Sequence, residues 1–391
     1  MNNPFHIVTL ELISYTQGKA RYGSKIALEK RIGMWRGKGV ACHRLGLLPL
    51  ANLPMSIEIV LWLLYAPLKI IRLYERRRCH VILCSSHDFF NLWPAFTVSK
   101  LLKIPYVIIV HHLTGAELKG GLTKRYRFRV LEGFKKNEAF LFGLISIVNQ
   151  RILSKSRYMV AVSNSTRKQL LGLGIKGSKV IYNGIENLPL NGKDVAEIED
   201  TKEYDGIFLG RLSPDRGIFD LIEIWTMVVR KKPKSKLLII GEGLPYYMQK
   251  LRQLMGIYKL DGNIDLVGVV RDEDRFLLMS RSKVFILPSH NEGFCLAISE
   301  ALSAGLPVVA YELPAILEVY GGCPAIFYVK KGCYEKFAEM VLQLSRRENT
   351  RKELGKKGVD FVKTLSQKFS WEHTSNELLL FLKSIRCQYV S

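Results

Sequence analysis

The feature that most constrains this chain is an alternation of short apolar runs and helical segments that runs through its first half, stops, and starts again. Phe5–Leu10 reads as a short buried strand, followed by a loop and a helix from about Ser24 to Trp35. Val81–Cys84, Tyr106–Val110, Tyr158–Val162 and Lys179–Tyr182 read as strands, with helices at Phe90–Leu102 and Ser165–Leu173 between them. Asn187–Asp205 then turns polar and acidic. The pattern restarts with strands at Gly206–Leu209, Lys236–Ile240, Ile264–Val267, Val284–Leu287 and Pro307–Ala310, separated by helices at Ile218–Val229, Tyr246–Met255, Asp272–Ser280 and Leu296–Ala304. The segment from Tyr334 to about Arg386 reads as mostly helical. Strand–helix–strand repeats of this kind pair their strands in parallel and cover both faces of the sheet with helices. A chain of 391 residues exceeds what one hydrophobic core serves. The expected fold is therefore α/β, with two doubly wound, Rossmann-like domains facing across a cleft and the ligand at the carboxyl ends of their strands. The break at 187–205 reads as the interdomain linker.

Composition narrows the classes. A chain 48% hydrophobic and 24% charged is neither disordered nor fibrous. Seven cysteines without a close CxxC spacing argue against a disulfide framework and a zinc ribbon, and point to a reducing compartment. The start, MNNPFHIVTL, lacks the basic, apolar and small-residue order of a secretory leader, so none is expected. The apolar runs Ile59–Leu68 and Ala139–Val148 have ten residues each, short of the roughly 18 needed to span a bilayer. The expected location is cytoplasmic.

Charge is lopsided. The chain carries +23, yet residues 1–185 hold 29 Lys and Arg against 8 Asp and Glu, which places +21 there. Such a field favours a polyanion near the first half. No helix-turn-helix, RNA-recognition or zinc-finger pattern is visible, so nucleic acid is not expected.

The chemistry concentrates in PSHNEGFCLAISEALSAGLPVVA, Pro288 to Ala310. Glu292 falls in a strand-to-helix loop and Glu300 eight positions later on the helix, about 12 Å along the chain path. Between them lie the first amides of that helix, at Gly293, Phe294, Cys295 and Leu296. Unpaired N–H groups at a helix start bind phosphate well. One element thus offers carboxylate, anion-binding turn and carboxylate, matching the order sugar, diphosphate, ribose in a nucleotide sugar, whose hydroxyls donate well to carboxylates.

This segment resembles the E-x7-E motif of retaining GT-B glycosyltransferases, family 4 of that class (glycosyl transferases group 1), with Cys295 where the family usually has Gly. A second stretch, GRLSPDRGIFDLIEIW from Gly210, resembles the family's GRLxxxKG motif, with Arg216 in place of the usual Lys. The resemblance implies that Arg211 and Arg216 clamp the leaving diphosphate, Glu300 binds ribose, and Glu292 orients the donor sugar. Two permanent cations would neutralise charge on the departing group. Arg is a planar fork and Lys a point charge, so the substitution changes the clamp's geometry. With no DxD pair in place, no metal and no other cofactor is expected. LLIIGEGLPYY resembles the family's strand ending in a GxG turn at Gly241. IDLVGVVRDED resembles the strand before the base-cradling loop, with Val270 as the base contact.

In the first half, PYVIIVHHL sets His111 and His112 at a strand end, where the family often has a His reaching the donor sugar; His111 is the choice by alignment. His87, in CSSHDF, also ends a strand and is a candidate for the acceptor side. Gly23 resembles one Gly of the family's N-terminal GG loop, but Tyr22 stands where the other would be. FSWEHTSNELLLFL resembles the family's final helix, which returns to the first domain. The expected domains are therefore 1–186 with about 370–391 on the acceptor side, a linker at 187–205, and a nucleotide-sugar-binding domain at 206–369.

Two segments of the basic half read as membrane-facing. Ile57–Arg78 is apolar and then basic, with Pro67 interrupting the run and a buried helix as its alternative reading. Lys119–Lys136 is basic with interleaved aromatics. Interfacial segments combine these features, and each basic group near an anionic leaflet contributes about 1 kcal/mol. The expectation is a retaining, metal-independent hexosyltransferase. It would move a sugar from a nucleoside-diphosphate donor to a lipid-linked or membrane glycan acceptor, peripherally on the inner face of a membrane. The alternatives are a membrane-associated scaffold with a decayed donor site, or a GT-B enzyme with a soluble acceptor such as a sugar phosphate.

Overall fold

A computed structural model of the chain describes residues 5–10, 23–35, 38, 40–45, 55–86, 89–113, 147–186 and 202–390. The chain divides into two compact units, Met1–Gly184 with Trp371–Ser391, and Ile185–Ser370.

In the first unit, β1 (Phe5–Leu10), α1 (Gly23–Trp35), β2 (Val40–Leu45), α2 (Met55–Arg77), β3 (Val81–Cys84), α3 (Phe89–Leu102), β4 (Tyr106–Val110), β5 (Tyr158–Ala161), α4 (Asn164–Gly172) and β6 (Ser178–Val180) follow in order. Residues 147–154 are helical before β5. The six strands form one sheet in the order β2-β1-β3-β4-β5-β6, with every pairing parallel. The central strands are buried on both faces, as Val81–Cys84 and Val107–Val110 show. This explains their unbroken apolar runs, since helices shield each side.

β2 escapes the sequence reading because Cys42 and His43 are only half-buried: an edge strand does not need an apolar run. Pro67 does not end α2, which runs 23 residues through it. Pro67 is buried beside Ala66 and Ile70, and Leu63, Ile71 and Tyr74 pack on the core. Packing offsets the missing N–H and the crowding that proline brings to a helix. The opposite face exposes Leu64 and Leu68 beside Arg72 and Arg76. The second basic segment, Lys119–Lys136, lies outside the described residues.

The last helix belongs to this unit. Trp35 Nε1 donates to Ser375 O at 3.0 Å, Ser375 Oγ donates to Arg31 O at 3.2 Å, and Lys179 pairs with Glu377 at 3.2 Å.

In the second unit, β7 (Gly206–Leu209), α5 (Ile218–Lys231), β8 (Leu237–Ile240), α6 (Pro245–Ile257), β9 (Ile264–Gly268), α7 (Asp272–Ser280), β10 (Phe285–Leu287), α8 (Leu296–Ser303), β11 (Val308–Tyr311), α9 (Pro314–Tyr320) and β12 (Ile326–Val329) follow in order. Then come α10 (Tyr334–Arg346), α11 (Glu348–Lys368) and the first unit's α12 (Trp371–Val390). The sheet order is β12-β11-β10-β7-β8-β9, again all parallel. Strand order reverses between β7 and β10, and ligands of doubly wound sheets bind in the crevice outside the carboxyl ends at such a point.

The end of the acidic stretch read as linker is not free: Glu203 N and Tyr204 N donate to Arg281 O, and Asp205 is buried. Burial alone would raise the Asp205 pKa, but hydrogen bonds from Lys232 and Lys283, at 2.8 and 2.9 Å, hold it below the ordinary range.

Candidate functional site

The switch point of the second unit brings two loops together. One leaves β7 and passes through a single 3₁₀ turn, Pro214–Arg216, to α5; the other leaves β10 and leads to α8. Gly217 joins turn to helix at φ 70°, and a Cβ there would collide with Pro288 O of the second loop. His290 N donates to Asp215 O at 2.8 Å. The sequence folds this way because Gly217 alone on the turn tolerates both the left-handed backbone and the close approach.

The charged side chains form a chain across this contact. Arg211 Nη2 donates to Asp215 Oδ2 at 3.0 Å. Arg216 Nε lies 3.9 Å from the same oxygen, while its Nη1 donates to Glu292 Oε1. Glu292 is buried, whereas the Arg211 side chain is 39% exposed. Burial would lower the Arg216 pKa, but the carboxylates of Glu292 and Asp215 raise it above the ordinary arginine value. The Arg216 guanidinium therefore stays charged, and Arg211 presents its open side to solvent. Ser213 Oγ and Ser289 Oγ are buried without a hydrogen-bond partner among the described residues.

α8 starts beside Glu292. Its cap is Cys295, at φ 63° and ψ 72°. A glycine suits this left-handed position, and the structure explains why the related motif has one. Cys295 O accepts from Tyr320 OH at 3.0 Å and from Ile298 N at 3.2 Å, which steadies the cap. Burial, reinforced by the Glu292 carboxylate, pushes the Cys295 thiol well up, so it stays protonated. The first helical amides come later than the sequence reading places them: Gly293 and Phe294 belong to the loop before the Cys295 cap, Leu296 is the first helical residue, and of the first-turn amides Ile298 N is already bonded to Cys295 O.

Glu300 sits one turn along α8. Its Oε2 is 3.4 Å from Arg275 Nε of α7, and both side chains are about one-sixth exposed. Arg275 was invisible to motif reading, as were Asp215 and the pair His290–Asp220, whose Nε2 and Oδ2 are 3.0 Å apart. Gly241, at φ 143°, ends β8, where a Cβ would strike Gly210 O; it keeps the β7 and β8 ends close. Val270 is half-buried in the loop between β9 and α7.

In the first unit, His111 follows β4, and its Nε2 is 3.1 Å from Ser85 O, just past the end of β3. His112 beside it is half-buried. Gly23 is the first residue of α1. His87 lies outside the described residues. Among the described residues no three His, Cys, Asp or Glu side chains are grouped to hold an ion.

Two family models match the chain. Residues 35–187 match Glycosyltransferase Family 4, and residues 193–360 match Glycosyl transferases group 1. The chain belongs to the group 1 glycosyltransferases. Among the relatives of this glycosyltransferase, an uncharacterized glycosyltransferase of Methanocaldococcus jannaschii is 26% identical, over 74% of this chain and 72% of that one. The capsular polysaccharide biosynthesis glycosyltransferase CapM of Staphylococcus aureus is 27% identical, over 45% of this chain and 46% of its own length. Thus the match spans about three quarters of the first relative and about half of the second. Sucrose-phosphate synthase from Thermosynechococcus elongatus has the same fold, with TM-score 0.76 at 15% identity over 98% of this chain and 100% of that one. So does Anabaena HepE in complex with UDP-glucose, with TM-score 0.68 at 16% identity over 97% and 99%. The two Rossmann-like domains are those of a GT-B enzyme that transfers sugar.

Proposed function

We propose that this glycosyltransferase takes its sugar from a nucleoside-diphosphate hexose and passes it, with retention, to a lipid-linked or membrane glycan acceptor. The observation that carries the donor reading is the placement of Arg211, Arg216 and the start of α8 around one sheet switch point. A departing diphosphate gains negative charge, and two guanidiniums with helix amides supply fixed positive charge where it develops. That charge is the reason for reading the reaction as metal-independent. Glu300 accepts from the ribose hydroxyls, and Glu292, held by Arg216, orients the sugar. His111 orients the donor sugar, Val270 contacts the base, and the Gly241 turn belongs to the donor-binding set.

The acceptor reading rests on the charge of residues 1–185 and on the exposed face of α2. CapM is named for capsular polysaccharide, a glycan product in keeping with this reading. No helix among the described residues is long and apolar enough to cross a membrane, so association would be with the surface.

The test is calorimetric titration of the whole chain with UDP and GDP, followed by sugar transfer from the matching nucleotide sugars in EDTA. Arg211→Ala and Glu300→Ala are expected to weaken diphosphate binding at least about tenfold each, the loss of one charge-assisted contact of roughly 1.5–3 kcal/mol. Saturable binding that neither substitution alters would refute the donor site, and transfer abolished by EDTA would refute metal independence.

A further inference from the structure

We infer that His290 is a positioning residue: by tethering to Asp220 it fixes the loop that holds Glu292 against the turn that holds Arg216. The inference rests on the donor reading above and adds the part that sets the sugar's orientation.

The loop after β10 meets the β7–α5 connection and the first turn of α5 at four places. Pro288 O lies against Gly217, His290 N donates to Asp215 O, Glu292 accepts from Arg216, and His290 Nε2 lies 3.0 Å from Asp220 Oδ2. The first two are backbone contacts that any residue at 290 would keep. The third involves the functional carboxylate itself. The fourth is a side-chain tether that touches neither donor-binding arginine.

Asp220 is anchored well enough to serve as a fixed point. It is the third residue of α5 and is buried. Its Oδ2 also accepts from Tyr311 OH of β11 at 2.9 Å, and the Tyr334 hydroxyl of α10 bonds to the same carboxyl. Burial opposes its ionisation, but the hydrogen bonds from His290, Tyr311 and Tyr334 keep its pKa below the usual range. The His290 ring packs edge-to-face on Tyr311, with centroids 5.9 Å apart at 76°. Tyr311 of β11 and Tyr334 of α10 thus hold the carboxylate independently of His290.

Glu292 lies two residues beyond His290, so rotation of the loop about its β10 end moves both. A displacement of about 1 Å at a positioned group costs on the order of 100-fold in rate. Arg211 pairs with Asp215, Glu300 with Arg275, and the Cys295 cap of α8 is held separately by Tyr320 OH, so diphosphate affinity is expected to survive loss of the tether.

The experiment compares His290→Leu, His290→Asn and His290→Gln in the full chain. It reads kcat, donor KM, UDP affinity and melting temperature. Gln carries a terminal N–H at the reach of imidazole Nε2, whereas Asn falls one bond short. The expected result is a kcat loss of at least about tenfold in His290→Leu and His290→Asn, with UDP affinity within threefold of the parent and most of kcat recovered in His290→Gln. Because His290→Asn keeps a polar amide, it preserves the comparison if His290→Leu folds poorly. Unchanged kcat in His290→Asn would overturn the inference, as would equal losses in Asn and Gln, or a parallel fall in UDP affinity. A parent enzyme that neither binds UDP or GDP nor transfers sugar would sink the donor reading instead.

Discussion

Removing the Arg216 side chain is expected to destabilise the second unit before any donor is added. Glu292 is 5% exposed and its carboxylate takes the Arg216 guanidinium; Arg216→Ala strands that charge in a pocket that water reaches poorly. Stranding one member of a buried pair costs about 3–5 kcal/mol. The Arg216 side chain is 23% exposed, so some water reaches the site and the cost is discounted to just below that range, about 2–3 kcal/mol. At about 2–4 °C per kcal/mol for a domain of 150–250 residues, the melting temperature should fall by roughly 5–10 °C. Neutralising the partner separates the two roles. Arg216→Ala with Glu292→Gln should recover at least half of the lost stability, since no buried charge is left alone, and should recover none of the sugar transfer. Differential scanning calorimetry of the parent, both single variants and the double variant closes the cycle. A melting temperature for Arg216→Ala within 1 °C of the parent, or a double variant no more stable than the sum of the singles predicts, would refute the pairing argument.

Three further outcomes are expected. In the first unit, His80 is held down to about 4 by burial and by the nearby charges of Arg386 and His6. Burial also lowers His6 and His43, which share a 3.1 Å ring hydrogen bond, with Arg77 adding to both and His6 to His43. Folded histidines therefore bind protons later than unfolded ones, near 6.5, so stability present at pH 7 is lost as pH falls from about 6.5 towards 4. After discounting for solvent screening of partly exposed rings, the loss at His80 is about 1–2 kcal/mol, and His80→Asn should flatten the slope of urea melts between pH 7.5 and 4.5. At Cys295, with φ 63°, Gly should leave the melting temperature within about 2 °C, because relief of the left-handed strain offsets the added chain entropy. A β-branched Val there should cost about 2 kcal/mol or more, measured by the same melts. On α2, Leu64 and Leu68 are 63% and 56% exposed beside Arg72 and Arg76. The chain should float with anionic vesicles and not with neutral ones, and Leu64→Ser with Leu68→Ser should weaken that binding at least about tenfold without shifting the melting temperature.

What could be read in advance divides along a physical line. Strands buried on both faces announce themselves, because Val-Ile-Leu-Cys or Leu-Leu-Ile-Ile has no polar residue to hide behind. β2, with Cys42 and His43 only half-buried, and β12, with Phe327 and Tyr328 half-buried, do not. α9 escapes the sequence reading for a different reason: Pro314 opens it at the first helical position, where its absent N–H costs nothing, yet a Pro after a strand also reads as a turn. α2 shows the converse, since a proline that would end an isolated helix is overruled by the core it packs against.

The site divides in the same way. Arg211, Arg216, Glu292 and Glu300 stand at fixed offsets within two short segments, and the turn and helix start that hold them are local structures. Their partners are not local. Asp215 hides inside the quoted motif, where nothing separates it from a solvated aspartate. Arg275 reaches Glu300 across 25 residues, and His290 reaches Asp220 across 70. The His290–Asp220 pair forms because the sheet order sets β10 beside β7, and the Arg275–Glu300 pair joins α7, which follows β9, to α8, which follows β10; a single sequence states neither neighbourhood. The consequence bears on Cys295 and Arg216, two of the three departures from the related motifs; the third, Tyr22, lies outside the described residues. Read as letters, they resembled decay of a donor site. In the structure, Arg216 stays charged and anchors the Glu292 carboxylate, and Cys295 holds the same left-handed cap a glycine would, so neither substitution removes a group that the donor reading needs.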